Sequence, residues 1–169
     1  MKKFKILFYL VWLFIIALFQ PTIVQWIGIF GVSPDLFLIF VICAAMLRGM
    51  WDGAICGFVF GLALDMIIGR MVGMNAILYM YAGLATGMLN ERYISSDSAT
   101  ADAVFVFANS LLCGILYFAA YKMVWGDLRF VTAFIKTILP KALYSAAAAF
   151  VLFIPMRKSF GLIKVKRLF

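Results

Sequence analysis

From Ile6 to Pro155 the chain is a succession of apolar runs, most of them close to the length that crosses a bilayer, separated by short turns. With 67% hydrophobic residues, 13% charged residues and a mean hydropathy of +1.10, too little polar surface remains to clothe a water-soluble fold. The sequence reads as an integral membrane protein. A span takes about 20 apolar residues, so 169 residues accommodate roughly five or six spans and no sizeable soluble domain. The expected fold is all-α: one polytopic membrane domain over 1–169 with six transmembrane helices.

Lys2, Lys3 and Lys5 precede the run from Ile6 to Phe19. No small-residue cleavage site follows, and the run leads on through Gln20 and Pro21 to Phe30, so it reads as a retained first span over 6–26 and not as a signal peptide. Ser33-Pro34-Asp35 reads as a helix start, with Ser33 suited to cap, Pro34 to the first helical position and Asp35 to the positive helix end. A second span is expected over 34–47, closed by Arg48, and Gly49 to Trp51 turn the chain into a third over 51–68 with Asp52 at its start. Gly69, Arg70 and Gly73 mark the next turn, before a fourth span over 72–89. Glu91 to Ala101 is the most polar segment and reads as an exposed loop. A fifth span is expected over 103–123, followed by a turn at Trp125-Gly126-Asp127. The last run, 131–155, is interrupted by Lys136, Pro140 and Lys141. It is either one long kinked span or a short interfacial helix followed by a span from Pro140.

The net charge of +8 does not point to nucleic acid, because the basic residues gather at the two ends beside apolar segments. Six spans put Lys2, Lys3, Lys5, Arg157, Lys158, Lys164, Lys166 and Arg167 on one side together with Arg48 and Arg92. Both termini are therefore expected in the cytoplasm, with Arg70, Lys122 and Arg129 opposite. The basic tail suits a positive-inside anchor drawn to anionic lipid.

The third span carries the most specific pattern. Gly49, Gly53, Gly57 and Gly61 recur every four residues and Asp65 takes the next place, which on a helix makes a shallow groove ending in a carboxylate. Small residues at this spacing let helix backbones approach closely in lipid, and Gly83 with Gly87 offers a second such surface. The groove suits either another helix of the same chain or a partner's helix. Asp65, about 14 residues into the span, would lie roughly 21 Å up, in the outer third of the bilayer. An acid there needs a partner or a helix end, and Lys136, Lys141 and Arg70 are the candidate cations.

Pro34-Asp35-Leu36 opening the second span, Arg48-Gly49 closing it, and then Gly53-x-x-x-Gly57-Phe58-x-x-Gly61-Leu62-x-x-Asp65 with a later Gly73 resemble the family of the rod shape-determining protein MreD. The specific motif occupies Pro34 to Gly73, whereas the first, fifth and sixth spans match in hydropathy. The resemblance implies a component of the bacterial inner (cytoplasmic) membrane, part of the elongation machinery needed for rod shape and lateral peptidoglycan synthesis. It implies as partners the bitopic protein MreC, the actin-like MreB, and the synthase formed by RodA with its transpeptidase. It also implies a helical arrangement similar to the substrate-binding (S-component) subunits of energy-coupling-factor vitamin transporters.

Catalysis has no constellation to stand on: there is no histidine, no serine or cysteine with a polar relay, no phosphate-binding loop, and the acids are dispersed. Cys43, Cys56 and Cys113 lie in apolar runs without Cys-x-x-Cys spacing, so neither a disulfide framework nor a zinc site is expected, and no cofactor. The expected role is a non-enzymatic scaffold that docks partner helices. The alternative is a transporter subunit with a vitamin pocket. Such subunits carry an Ala-x-x-x-Ala surface in the first span, where this chain has Ala17 alone, and a polar pocket would have only Asp65, Asn75 and the lysines of the last run to draw on.

Overall fold

The computed structural model describes residues 9–20, 32–69, 71–93, 99–125 and 133–161, and all of these segments are helical or connect helices. The helices are α1 (Tyr9–Gln20), α2 (Leu36–Arg48), α3 (Met50–Ile68), α4 (Met74–Tyr93), α5 (Ala99–Trp125) and α6 (Leu139–Gly161), the last preceded without a break by a π-helical turn, Phe134–Ile138. Among the described residues, three stretches are long and apolar enough to cross a membrane: Met50–Ile68, Asp102–Met123 and Phe134–Ile154. Lys2, Lys3, Lys5, Arg70, Arg129, Lys164, Lys166 and Arg167 lie outside the described residues, as do the side chains of Arg92, Arg157 and Lys158.

The core is organised around α2. Its residues Leu36 to Ala45 are all buried, and the helix touches α3, α4, α5 and α6. Phe40 stacks on Phe60 of α3 at 4.7 Å between ring centroids and meets Trp12 and Tyr9 of α1 at 5.6 and 6.3 Å. Such an all-round apolar helix belongs in an interior. At 13 residues it is about 20 Å long, shorter than the bilayer's hydrocarbon core of about 30 Å.

Its start corrects the sequence reading. Asp35, not Ser33, is the N-cap: the Asp35 backbone is non-helical at φ −92°, ψ 88°, and its Oδ1 accepts from Leu38 N–H at 3.1 Å. Pro34 consequently precedes the cap and does not occupy the first helical position. Gly49, at φ 94°, is the corner between α2 and α3 and stands outside the helical row of Gly53, Gly57 and Gly61. A side chain there would be strained.

α4 runs to Tyr93 and α5 begins at Ala99, so helix enters much of the segment expected as a loop from Glu91 to Ala101. Hydropathy marks where lipid ends, and a helix continues past that point when its backbone bonds are satisfied. At the far end the chain takes the long-helix alternative. The Leu139 N–H reaches back to the Phe134 carbonyl, an i to i+5 bond, and this π turn comes immediately before Pro140. Widening the helix there accommodates a proline that lacks an N–H and crowds the preceding turn.

Candidate functional site

The α3 glycines are occupied by α4 of the same chain. A Cβ on Gly57 would strike the Tyr79 carbonyl, one on Gly61 would come 2.5 Å from Ala76 Cα, and one on Gly53 would lie 2.5 Å from Ala45 Cβ and 3.0 Å from the Gly83 carbonyl. From the other side, a Cβ on Gly83 would strike the Gly53 carbonyl and one on Gly87 would come 2.5 Å from Met50 N. Each step of four along α3 is matched by a step of four back along α4. The two glycine surfaces thus interlock, backbone on backbone, with no room for a partner's helix between them.

Asp65 closes this hairpin. Gly69, in the left-handed conformation at φ 69°, ends α3, and the chain returns through Gly73 at φ 95°. The Asp65 carboxylate then accepts from Gly73 N–H at 2.9 Å, Ala76 N–H at 3.2 Å, Asn75 N–H at 3.3 Å and the Asn75 side-chain amide at 2.7 Å. It satisfies the free amides at the positive end of α4, which suits a carboxylate with 2% of its surface exposed. Lys141 is not its counter-ion, and Lys136 is exposed on the π turn.

The Lys141 ammonium lies 2.8 Å from Asp35 Oδ2 instead. The Tyr79 hydroxyl donates to the same oxygen, the Asp35 N–H donates to Ser145 Oγ at 3.0 Å, and Gln20 bridges to the Pro34 carbonyl and the Leu36 N–H at 3.2 Å each. Asp35 thereby joins α2, α4 and α6, and Gln20 ties α1 to the residues on either side of it. Lys141 was a visible oddity in an apolar run, but nothing in the spacing marked Tyr79, Ser145 or Gln20 as members of this cluster. Two further polar contacts tie α5 to α4: Asn109 donates to Thr86 Oγ1 at 3.1 Å, and the Cys113 thiol faces the Leu78 carbonyl at 3.9 Å.

These features describe a helical membrane protein whose buried polar groups hold helices together. The family model described as rod shape-determining protein MreD matches residues 1–163. The chain belongs to the MreD family. No curated protein and no solved structure matches it alongside that model. As a family, MreD proteins determine rod shape; they are not known as an enzyme family. Among the described residues no three His, Cys, Asp or Glu side chains converge as metal ligands, and Cys43, Cys56 and Cys113 are buried and form no disulfide with one another.

A cleft of about 210 Å³ lies between α1 and α3, lined by Tyr9, Leu10, Leu13, Ile55, Val59 and Phe60, with Cys56 and Asp52 also at its wall. Its walls are almost wholly apolar, so it can accept a hydrocarbon surface and offers little to orient a polar molecule. Arg48 is the final residue of α2, half-buried near the same end of α3 as Asp52.

Proposed function

We propose that this MreD-family protein is a non-enzymatic scaffold of the cell-elongation machinery in the bacterial inner membrane. It crosses the membrane six times with both termini in the cytoplasm, oriented by Lys2, Lys3, Lys5 and Arg48 and by the basic tail from Arg157 to Arg167. It holds MreC and the synthase of RodA with its transpeptidase by helix packing, and works with MreB. The observation that carries this reading is the family match along residues 1–163.

The mutually buried glycine surfaces favour docking elsewhere on the molecule. Since the glycine surfaces face each other, partner helices meet the outward apolar faces, and the concave one is the cleft between α1 and α3. A vitamin pocket would need polar groups free to converge on a ligand, whereas Asp65, Asn75, Asp35 and Lys141 are bonded within the fold. Depletion in a rod-shaped bacterium tests the function: rounding with loss of dispersed wall synthesis is expected, and vitamin auxotrophy with intact shape would refute it. Ile55→Trp with Val59→Trp tests the surface, since filling the cleft should lower recovery of MreC with the protein while leaving its own yield unchanged.

A further inference from the structure

We propose that α5 and α6 form a unit able to part from α2, α3 and α4, and that the Asp35–Lys141 ion pair is the latch holding it in place. The first ground is how contact is distributed. Among the described residues α3 and α4 share the most extensive contact, α5 packs chiefly on α6 and less extensively on α4 and α2, and of α2, α3 and α4 it is α2 alone that α6 meets appreciably. The boundary between the two groups therefore runs through the polar cluster at the start of α2 and along the side of α5 that meets α4 and α2.

The second ground is what crosses that boundary. Asp35 with Lys141, Asp35 N–H with Ser145, and Asn109 with Thr86 are bonds between side chains or to a side chain, at 2.8, 3.0 and 3.1 Å. They can open without moving a backbone through another. Inside the α5–α6 unit, Gly114 lies against Ile138 of the π turn, where an added Cβ would come 2.8 Å from Ile138 Cγ2, so that turn moves with α5. The π turn itself, Phe134–Ile138, stands just before Lys141, so the lysine is carried by the part of the chain that Gly114 holds against α5. The lysine is also the reachable arm of the latch, with 40% of its side chain exposed against 3% for Asp35. This device rests on geometry alone and is independent of which partners the protein holds.

The natural cysteines report on it. Cys113 sits on α5 at the boundary and Cys43 lies inside α2, both buried. In the full chain, reconstituted in vesicles of phosphatidylethanolamine and phosphatidylglycerol, N-ethylmaleimide labelling of each is read by mass spectrometry. Asp35→Asn keeps a residue able to cap α2 but removes the charge, and Lys141→Met keeps the stem. Each single variant should raise Cys113 labelling roughly tenfold, because Lys141→Met strands the buried Asp35 carboxylate and Asp35→Asn leaves the Lys141 ammonium without its partner in an apolar stretch, with Cys43 unchanged. The double variant strands no charge but has no latch either, so its Cys113 labelling should stay above the parent rate while falling below that of either single variant. Unchanged Cys113 labelling in both single variants would overturn the proposal, as would Cys43 rising in step with Cys113, or a double variant that labels at the parent rate or faster than either single.

Discussion

Along α3 and α4 the contact is backbone on backbone, with Gly53, Gly57, Gly61, Gly83 and Gly87 leaving no gap, whereas α5 and α6 meet the rest of the molecule through side chains such as Asn109, Ser145 and Lys141. Both solutions answer the same problem. In lipid there is little hydrophobic drive between helices, so association comes from close packing or from hydrogen bonds. Close packing tolerates no added atom. Side-chain bonds are individually weak, about 0.6 kcal/mol on average between membrane helices, and are replaceable. A chain that carries both has one part with no room for an added atom and another held by replaceable bonds.

The sharpest way to break this contrast is Gly57→Ala. Its Cβ would meet the Tyr79 carbonyl, which cannot rotate aside, so a loss of about 3 kcal/mol is expected, read as a large fall in melting temperature and in monodisperse yield. A tolerated alanine would show that α3 and α4 have slack. Asp65→Ala comes next: it removes the acceptor for the Gly73, Asn75 and Ala76 amides and should cost about 2 kcal/mol of stability. MreC recovery per folded molecule should stay level, and a selective drop in recovery would return Asp65 to the partner surface.

Smaller effects belong on the other side of the comparison. Gly114→Ala presses on the Cγ2 branch of Ile138, a side chain and not a backbone but a β-branched one with little freedom to turn, so its cost should fall below that of Gly57→Ala, at about 1–2 kcal/mol. Measured beside Gly57→Ala, it compares one added methyl group in the two regions. Asn109→Leu should be the mildest, about 0.6 kcal/mol, since it removes a single interhelical bond to Thr86. If it equalled Gly57→Ala in a melting experiment, the distinction between the two regions would fail.

Much of the rigid part could be read from residue spacing. A period of four in glycines describes a surface without needing to know what faces it, and Gly69 and Gly73 announce the turn that brings α4 back. What spacing could not supply was the identity of the facing helix or the role of Asp65, because both depend on the register of the return strand of the hairpin. The polar cluster was harder. Asp35 and Lys141 are far apart in sequence, and a lysine in an apolar run demands an acid without naming which one. Capping was misassigned to Ser33 because serine and aspartate are near-equal caps, and the choice fell to the residue whose carboxylate could also meet Lys141 and Tyr79.

The enclosed position of α2 bears on how the protein is made. Thirteen residues, joined to α3 by the single residue Gly49, are too few to hold their own place across about 30 Å of hydrocarbon while the ribosome is still at work. Because one residue joins α2 to α3, the two are expected to enter the bilayer together. The Asp35 end of α2 then waits, its carboxylate without the lysine it will meet, until α6 is synthesised. Completion of the last helix is thus the step that neutralises the first buried acid, and a chain truncated before Lys141 would carry an open charge as a mark of unfinished assembly.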